Sequence, residues 1–305
     1  MRKIVIPGGA GYSGRSLSDY FVGRGYRVVV LSRGTESQGN GVKIVPWDGQ
    51  TMGTWVHEID DADAVVNMAG RSVNCRYNDK NRRAIYDSRL HSTRVLGEAI
   101  RSVQQPPRVW INSSSATIYR HALDRPMDEL RGDIGTGFSV DVCRQWEHTL
   151  LTSYTPHTRK VAMRTAIVLG KGSGGAMMPL LNLARWGLGG KMGPGTQFVS
   201  WLHLEDFVRS VQWLIDHEEL DGAINAAAPN PCTNADFMRV LRFVCSQPVG
   251  LPSQRWMLEI GAFVLRTETE LLLKSRRVVP TRLLESRFTF NYPYVYDALR
   301  NIVRE

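Results

Sequence analysis

An apolar strand running straight into closely spaced glycines and then a helix restricts a chain to few folds. This one begins that way: Lys3-Ile4-Val5-Ile6-Pro7-Gly8-Gly9-Ala10-Gly11-Tyr12-Ser13-Gly14. Gly8, Gly11 and Gly14 recur every third residue, and Gly9, Gly11 and Gly14 also satisfy the G-x-G-x-x-G form. Such glycines serve a tight turn, a close backbone approach to a pyrophosphate, and close packing of helix on strand. The helix that follows turns free N–H groups and the positive end of its dipole toward phosphates. A second apolar strand over 26–31 supplies the context that separates a dinucleotide loop from a glycine-rich turn that binds nothing. Gly8, Gly11, Tyr12, Ser13 and Gly14 are therefore the candidate phosphate-binding residues.

Apolar, β-branched runs alternate with helical patterns through the first half. The pattern predicts strands near 3–7, 26–31, 42–46, 63–68, 108–113 and 160–168, and helices near 12–24, 80–104 and 138–153. This alternation predicts an α/β fold, a Rossmann-like doubly wound parallel sheet covered on both faces. Pro106-Pro107 stops the long helix before the fifth strand. Beyond Gly170 the texture changes, with glycine-rich segments at 170–175 and 188–195 of the kind that contact or close over a ligand. A strand-like stretch at 197–202, a helix over 205–216, a short strand at 223–227 and a helix over 233–244 capped by Thr233 or Asn234 follow. The last fifty residues read as mixed and helical, ending in a helix over 295–303. Residues 1–170, with 200–228 returning to them, are expected to form the dinucleotide domain; 171–199 and 229–305 form a smaller, mixed substrate lobe and C-terminal extension.

With 305 residues, 43% hydrophobic and 22% charged, the chain is long and apolar enough for a sizeable core. Its net charge of +9 raises nucleic acid or an acidic membrane face as partners. The basic residues are scattered, however, and the tightest groups are Arg82-Arg83 and Lys274-Ser275-Arg276-Arg277. A solvated basic surface with a site for an anionic cofactor is the expectation, with a small-molecule substrate and no nucleic acid. No apolar run is long enough to span a membrane, and the N-terminus runs directly into a strand without room for a signal peptide. Cys75, Cys143, Cys232 and Cys245 form no C-x-x-C pair and read as reduced thiols of a cytoplasmic protein. No metal site is expected, and a homodimer is left open.

The strand ends carry the selective chemistry. The second strand ends in Ser32-Arg33, where an acidic residue would bond the adenosine ribose and select NAD. A hydroxyl and a guanidinium suit a 2′-phosphate instead, so NADP is expected over NAD. Asp48, after the third strand, either bonds the adenine amino group or serves a turn. Ala69 and Gly70, after the fourth strand, are small enough for a cofactor to lie against. The fifth strand ends in Ser113-Ser114-Ser115, placing hydroxyls beside a nicotinamide, where they can bond a substrate oxygen.

Together these pieces resemble the extended short-chain dehydrogenases/reductases, the superfamily of nucleotide-sugar epimerases and dehydratases. Ser113 to Tyr119 resembles the serine strand of UDP-galactose 4-epimerases, and the resemblance implies a catalytic role for the third serine, Ser115. Those enzymes carry Tyr-x-x-x-Lys on the next helix; here the matching positions hold Ser139 and Cys143, which cannot supply a phenolate or a positive charge. Cys143-x-x-Trp146-Glu147 instead resembles the atypical 39U-type epimerase family proteins. Several further segments resemble that family in order. They are Ser88-Arg89 with Thr93, Arg164 to Gly170, Gly174-Gly175-Ala176, Gly189-Gly190, Gly195 to Asp206, Asn225 to Pro229 with Thr233-Asn234, Val279 to Leu284 and Phe288 to Pro293. The resemblance implies NADP binding with an undefined physiological substrate. Arg89 joins the candidate cofactor residues, and Arg89 and Arg164 are candidates to grip an anionic substrate. Arg71 and Arg120 depart from the family pattern near the expected cleft. Tyr119 is the candidate acid/base, its phenol acidified by cofactor and arginine charge; His203 is a second acid/base candidate by its intrinsic pKa, with a buried structural histidine bonded to backbone the favoured reading. Trp146, Trp186 and Trp201 are expected to pack the core or wall the pocket. The expectation is an NADP-dependent oxidoreductase or epimerase-like enzyme, and the alternative is a non-catalytic NADP(H)-binding redox sensor.

Overall fold

The computed structural model describes residues 1–34, 41–172, 175, 177–253 and 273–304. Its first half runs β1 (Lys3–Pro7), α1 (Tyr12–Val22), β2 (Arg27–Ser32), β3 (Lys43–Pro46), β4 (Ala64–Asn67), α2 (Asp79–Ser102), β5 (Val109–Ser115), α3 (Phe138–Thr152) and β6 (Arg159–Thr165). The second half adds β7 (Ile167–Leu169), α4 (Met177–Arg185), β8 (Phe198–Val199), β9 (Trp201–His203), α5 (Leu204–Asp216), β10 (Gly222–Ala226), β11 (Cys232–Thr233), α6 (Asn234–Val244), α7 (Thr281–Glu285) and α8 (Val295–Arg304). Seven strands form one sheet in the order β10-β6-β5-β4-β1-β2-β3. Every pairing in it is parallel.

The strands lack polar alternation because both faces are covered. Ile4, Ile6, Val28, Val30, Val66, Ile111 and Met163 point to one side, under Leu17 and Phe21 of α1 and Phe207 and Val211 of α5. Val5, Val29, Leu31, Val65 and Trp110 point to the other, under Val95, Leu96 and Ala99 of α2 and Leu150 of α3. Period-two alternation thus divides one apolar run between two layers. A third cluster joins Leu181 of α4, Trp201, Phe237 and Leu241 of α6, and Leu299 and Ile302 of α8. No helix among the described residues is long and apolar enough to cross a membrane.

Two strands expected as continuous are broken. The run over 160–168 splits at Ala166: β6 stays in the main sheet, while β7 pairs with β9 in a small separate sheet. The cause is the loss of a partner. The β5–β6 ladder ends at Ser115↔Thr165, where β5 gives way to a 3-10 turn over Ala116–Ile118. The run over 197–202 breaks at Ser200, whose Oγ donates to the Arg276 carbonyl (2.7 Å) and accepts the Val278 N–H (2.8 Å). The flanking pieces go to different partners, β8 to β11 and β9 to β7. Thr233 caps α6, its Oγ1 accepting the Asp236 N–H at 3.1 Å. Gly174, Ala176 and the stretch 254–272 of the C-terminal extension lie outside the described residues.

Candidate cofactor site

The glycines of the β1–α1 loop divide three tasks. Gly8 adopts φ +74°, and a Cβ there would meet the Ala69 backbone at 2.6 Å. It therefore makes the turn and lets the end of β4 close on the loop. A Cβ on Gly14 would meet Gly9 Cα and carbonyl oxygen at 2.6 Å, so this glycine seats α1 on the turn. A Cβ on Gly11 would meet nothing within 4 Å. Gly11 also caps α1 without a side-chain bond, and the first turn carries no acid. Free N–H groups facing open space suit a pyrophosphate. The adjoining cavity, about 410 Å³, is lined by Gly8, Gly11, Tyr12, Ser13, Gly14, Met68, Ile167, Val168 and Gly175.

Met68 also lines a second cleft of about 270 Å³, walled by Ala69, Gly70, Tyr77, Arg89, the three serines 113–115, Thr117, Phe138, Ser139, Val142, Cys143 and Trp146. Asn67 and Asn112 stand opposite each other in the ladder. Asn67 Nδ2 donates to Asn112 Oδ1 (2.6 Å), and Asn67 Oδ1 accepts the Ala69 N–H (3.0 Å). The Ser88-Arg89 pair on α2 holds the next residue from both sides. Ser88 Oγ accepts the Arg71 N–H (2.9 Å), and Arg89 Nη1 donates to the Arg71 carbonyl (3.1 Å). Trp146 Nε1 donates to Thr93 Oγ1 (2.9 Å), which itself donates to the Arg89 carbonyl (2.8 Å). No local motif marks Asn67 or Asn112; two asparagines at the ends of strands predicted to be neighbours are the signal that finds them.

The three serines separate by strand alternation. Ser114 faces away from Ser113 and Ser115 and donates to Glu147 Oε1 at 2.6 Å. Glu147 also receives Arg164 through Nε and Nη2, at 2.8 Å each. Ser115 Oγ donates to Thr117 Oγ1 (3.0 Å) and accepts the Thr117 N–H (3.2 Å). Burial pushes the Cys143 thiol up to about 12, with the Glu147 charge adding to the effect. At neutral pH it is therefore an uncharged thiol.

Several expected roles are corrected by position. Tyr119 does not reach the cleft: it is fully buried, its hydroxyl donating to Asn225 Oδ1 (2.9 Å) and accepting from Arg164 Nη1 (2.8 Å). Burial raises its pKa more than Arg164 lowers it, so the phenol is not acidified. Arg164 is committed to Glu147 and Tyr119 and has no free edge for a substrate. Arg120 pairs with Asp124 (2.7 Å) and Asp133 (2.8 Å) at the surface. Trp186 is 81% exposed, whereas Trp201 is buried and Trp146 walls the cleft.

Other residues lie where strand ends put them. Asp48 Oδ1 accepts the N–H groups of Gln50 (2.8 Å) and Thr51 (2.9 Å), and Oδ2 accepts Thr51 Oγ1 (2.7 Å), an aspartate turn. Those bonds hold its carboxyl below the usual range. Ser32 Oγ accepts the Gly34 N–H (3.2 Å), and Arg33 beside it is exposed. His203 Nδ1 accepts the Glu205 N–H (3.2 Å) as the cap of α5, and Nε2 lies 3.1 Å from Asn301 Oδ1.

The chain is similar to known proteins over nearly its whole length. The model of the NAD dependent epimerase/dehydratase family matches residues 4–227, and a domain of unknown function, DUF1731, matches residues 255–302. The human epimerase family protein SDR39U1 is 29% identical over 304 residues, 99% of each chain. An epimerase family protein of Mycobacterium leprae is 30% identical over 301 residues, covering 97% of this chain and 94% of the relative. The crystal structure of human SDR39U1 (isoform 2) with NADPH superposes with a TM-score of 0.88 at 28% identity, over 99% of both chains.

Proposed function

The chain belongs to the NAD-dependent epimerase/dehydratase family, and on that premise we propose that it is an NADP(H)-binding protein of the short-chain dehydrogenase/reductase type, an oxidoreductase or epimerase-like enzyme for a small polar substrate such as a nucleotide sugar. The observation that carries this reading is the continuity of the cleft. Met68 lines both the phosphate-loop cavity and the serine-lined cleft, so one extended ligand can reach from Gly11 to Ser115. The chemistry a bound cofactor supplies is hydride exchange with a substrate carbon.

Gly8, Gly11, Tyr12, Ser13 and Gly14 hold the pyrophosphate in this reading. Ser32 and Arg33 take the 2′-phosphate, and Asp48 stands at the adenine end. Ala69, Gly70 and Arg89 wall the nicotinamide end. Ser115 bonds the substrate oxygen, its own hydroxyl oriented by Thr117. The NADPH in the human relative's crystal structure supports NADP over NAD. The segments 171–199 and 229–305 supply the substrate side.

A second reading has its own support. Ser139 and Cys143 occupy the positions that resemble the family's tyrosine and lysine, and the Cys143 thiol is neutral. Tyr119 is turned into the core. A site that binds NADP(H) without turnover, as a redox sensor does, fits those facts. Fluorescence of NADPH on the purified protein tests both readings. Oxidation of bound NADPH on addition of a carbonyl library establishes catalysis, and tight binding without turnover across the library establishes the sensor. Absence of binding by either nicotinamide nucleotide overturns the whole reading.

A further inference from the structure

The serine-lined cleft contains an arginine that no acid among the described residues neutralises. Arg89 Nη1 donates to the carbonyls of Arg71 and Ile85, at 3.1 Å each. A Cβ on Gly70 would stand 3.2 Å from Arg89 Cζ, so the glycine lets the guanidinium lie flat against the loop. On another side Cζ is 5.0 Å from the centroid of Trp146, whose ring is fixed through Thr93. Nε and Nη2 bond no described residue, and both belong to a side chain that lines the cleft. The groups that interact electrostatically with Arg89 are the thiol of Cys143 and the phenol of Tyr77, neither of them a carboxylate. Glu147, on the same helix as Trp146, is already bonded twice by Arg164. Burial pulls the pKa of Arg89 down, yet a guanidinium stays charged at any physiological pH. Desolvating and immobilising a charge without a partner is unfavourable. Its retention in a cleft wall therefore calls for a ligand that responds to it.

We propose that Arg89 sets the redox preference of the cofactor site, so that the cleft favours the neutral nicotinamide of NADPH over the cationic nicotinamide of NADP+. The inference rests on the NADP(H) reading above. Both forms carry the same phosphates, so any attraction of Arg89 for a phosphate cancels in the ratio of their affinities. What remains is the repulsion between the guanidinium and the positive ring of the oxidised form, which a low-dielectric wall strengthens. Cys143 leaves this field intact because its thiol brings no negative charge. By linkage, a tenfold preference for the reduced form raises the midpoint potential of the bound couple by about 30 mV. The bound oxidised cofactor is thereby a stronger hydride acceptor than the free one.

The test is a fluorescence titration of the full chain with NADPH, followed by displacement with NADP+. The wild-type protein is expected to bind NADPH at least ~10-fold more tightly, and Arg89→Gln to bring the two affinities within about 3-fold, while Arg89→Lys keeps most of the difference. Ser139→Asp is a second route, since Ser139 lines the same cleft and its buried Oγ has no hydrogen-bond partner among the described residues. A carboxylate there should lower the ratio with every contact of Arg89 intact, and it decides the matter if Arg89→Gln does not fold. A wild-type ratio near one overturns the proposal. So does equal weakening of both nucleotides by Arg89→Gln, which would make Arg89 a phosphate contact only. If neither nucleotide binds the wild-type protein, the cofactor reading itself fails, a result distinct from binding without preference.

Discussion

Gly11 and Gly14 lie three residues apart and answer to different constraints. At Gly14 a methyl group would run into the backbone of Gly9 at 2.6 Å, and backbone has nowhere to go. Gly14→Ala should therefore lower stability by ~1–3 kcal/mol, the usual effect of overpacking, read as a shift of the urea midpoint. Gly11 has φ −77° and open space where its Cβ would stand, so alanine is tolerated by the fold. Gly11→Ala should unfold like the wild type and bind NADPH more weakly. Equal destabilisation by both changes would mean that Gly11 serves packing rather than a ligand. Arg33 is a third kind of position, exposed at the end of β2 with no acid beside it at Ser32. Arg33→Asp should weaken NADPH by at least ~10-fold while leaving NADH affinity level or higher, because a carboxylate repels the 2′-phosphate and bonds a ribose hydroxyl. Unchanged NADPH affinity would remove Arg33 from the site.

At the scale of elements, one buried ion pair joins three of them. Arg164 on β6 binds Glu147 on α3, which also receives Ser114 of β5. Glu147→Ala leaves a buried guanidinium and should destabilise the protein by ~3–5 kcal/mol in urea unfolding. Replacing both partners by apolar residues of similar volume should lose much less, since a buried pair repays little more than its desolvation. A loss no larger for the single change than for the double would show the pair to be exposed to water. This tie also marks the limit of what sequence conveys. The glycine loop, the β-branched strands and the helix caps are local, and the chain states them in order. Whether Arg164 grips a substrate or Glu147 is decided by which element lies across from it, 17 residues away in sequence and adjacent in space. The breaks at Ala166 and Ser200 share that origin: the first depends on where β5 ends and the second on the 276–278 segment that bonds Ser200, and no property of either run records these. Tyr119 follows the serines in sequence, but the intervening 3-10 turn carries it out of the cleft.

Across the whole molecule, two of the contacts between distant parts of the chain bear on stability and on the phosphate loop. Glu129 Oε1 accepts the N–H of Asn225 on the edge strand β10, and Asn225 Nδ2 donates to Val279 in the C-terminal region, each at 2.9 Å. Burial raises the pKa of Glu129 in the folded state. The folded protein thus holds this proton to higher pH than the unfolded chain does. Its contribution is fully present below the unfolded value, near 4.3, and is lost as pH rises through the folded value. The stability difference between wild type and Glu129→Gln should accordingly fall as pH rises from about 4 toward neutral; a flat or rising difference would contradict the raised pKa.

The other contact joins the phosphate loop to the chain leaving β7. Cβ atoms on Gly170, Gly172 and Gly175 would stand 2.4, 2.8 and 3.1 Å from the Tyr12 side chain, so three glycines make room for one ring. Tyr12 is the first residue of α1 and lines the phosphate cavity. Its hydroxyl is buried without a hydrogen-bond partner among the described residues. Gly170→Ala drives a methyl group against that oxygen first, at 2.4 Å, and against Leu204 Cβ next, at 2.9 Å, and should lower both the melting temperature and NADPH affinity together. Tyr12→Phe removes the oxygen and, with no bond to lose, should leave apo stability within ~1 kcal/mol of wild type. The double variant should then recover much of what Gly170→Ala lost, giving a coupling energy of ~1–3 kcal/mol. Additive losses would mean that the methyl group is stopped by Leu204, whose Cβ lies 2.9 Å from the same position, and not by the ring. Recovery of affinity along with stability would show that the segment after β7 governs the phosphate loop through this one side chain.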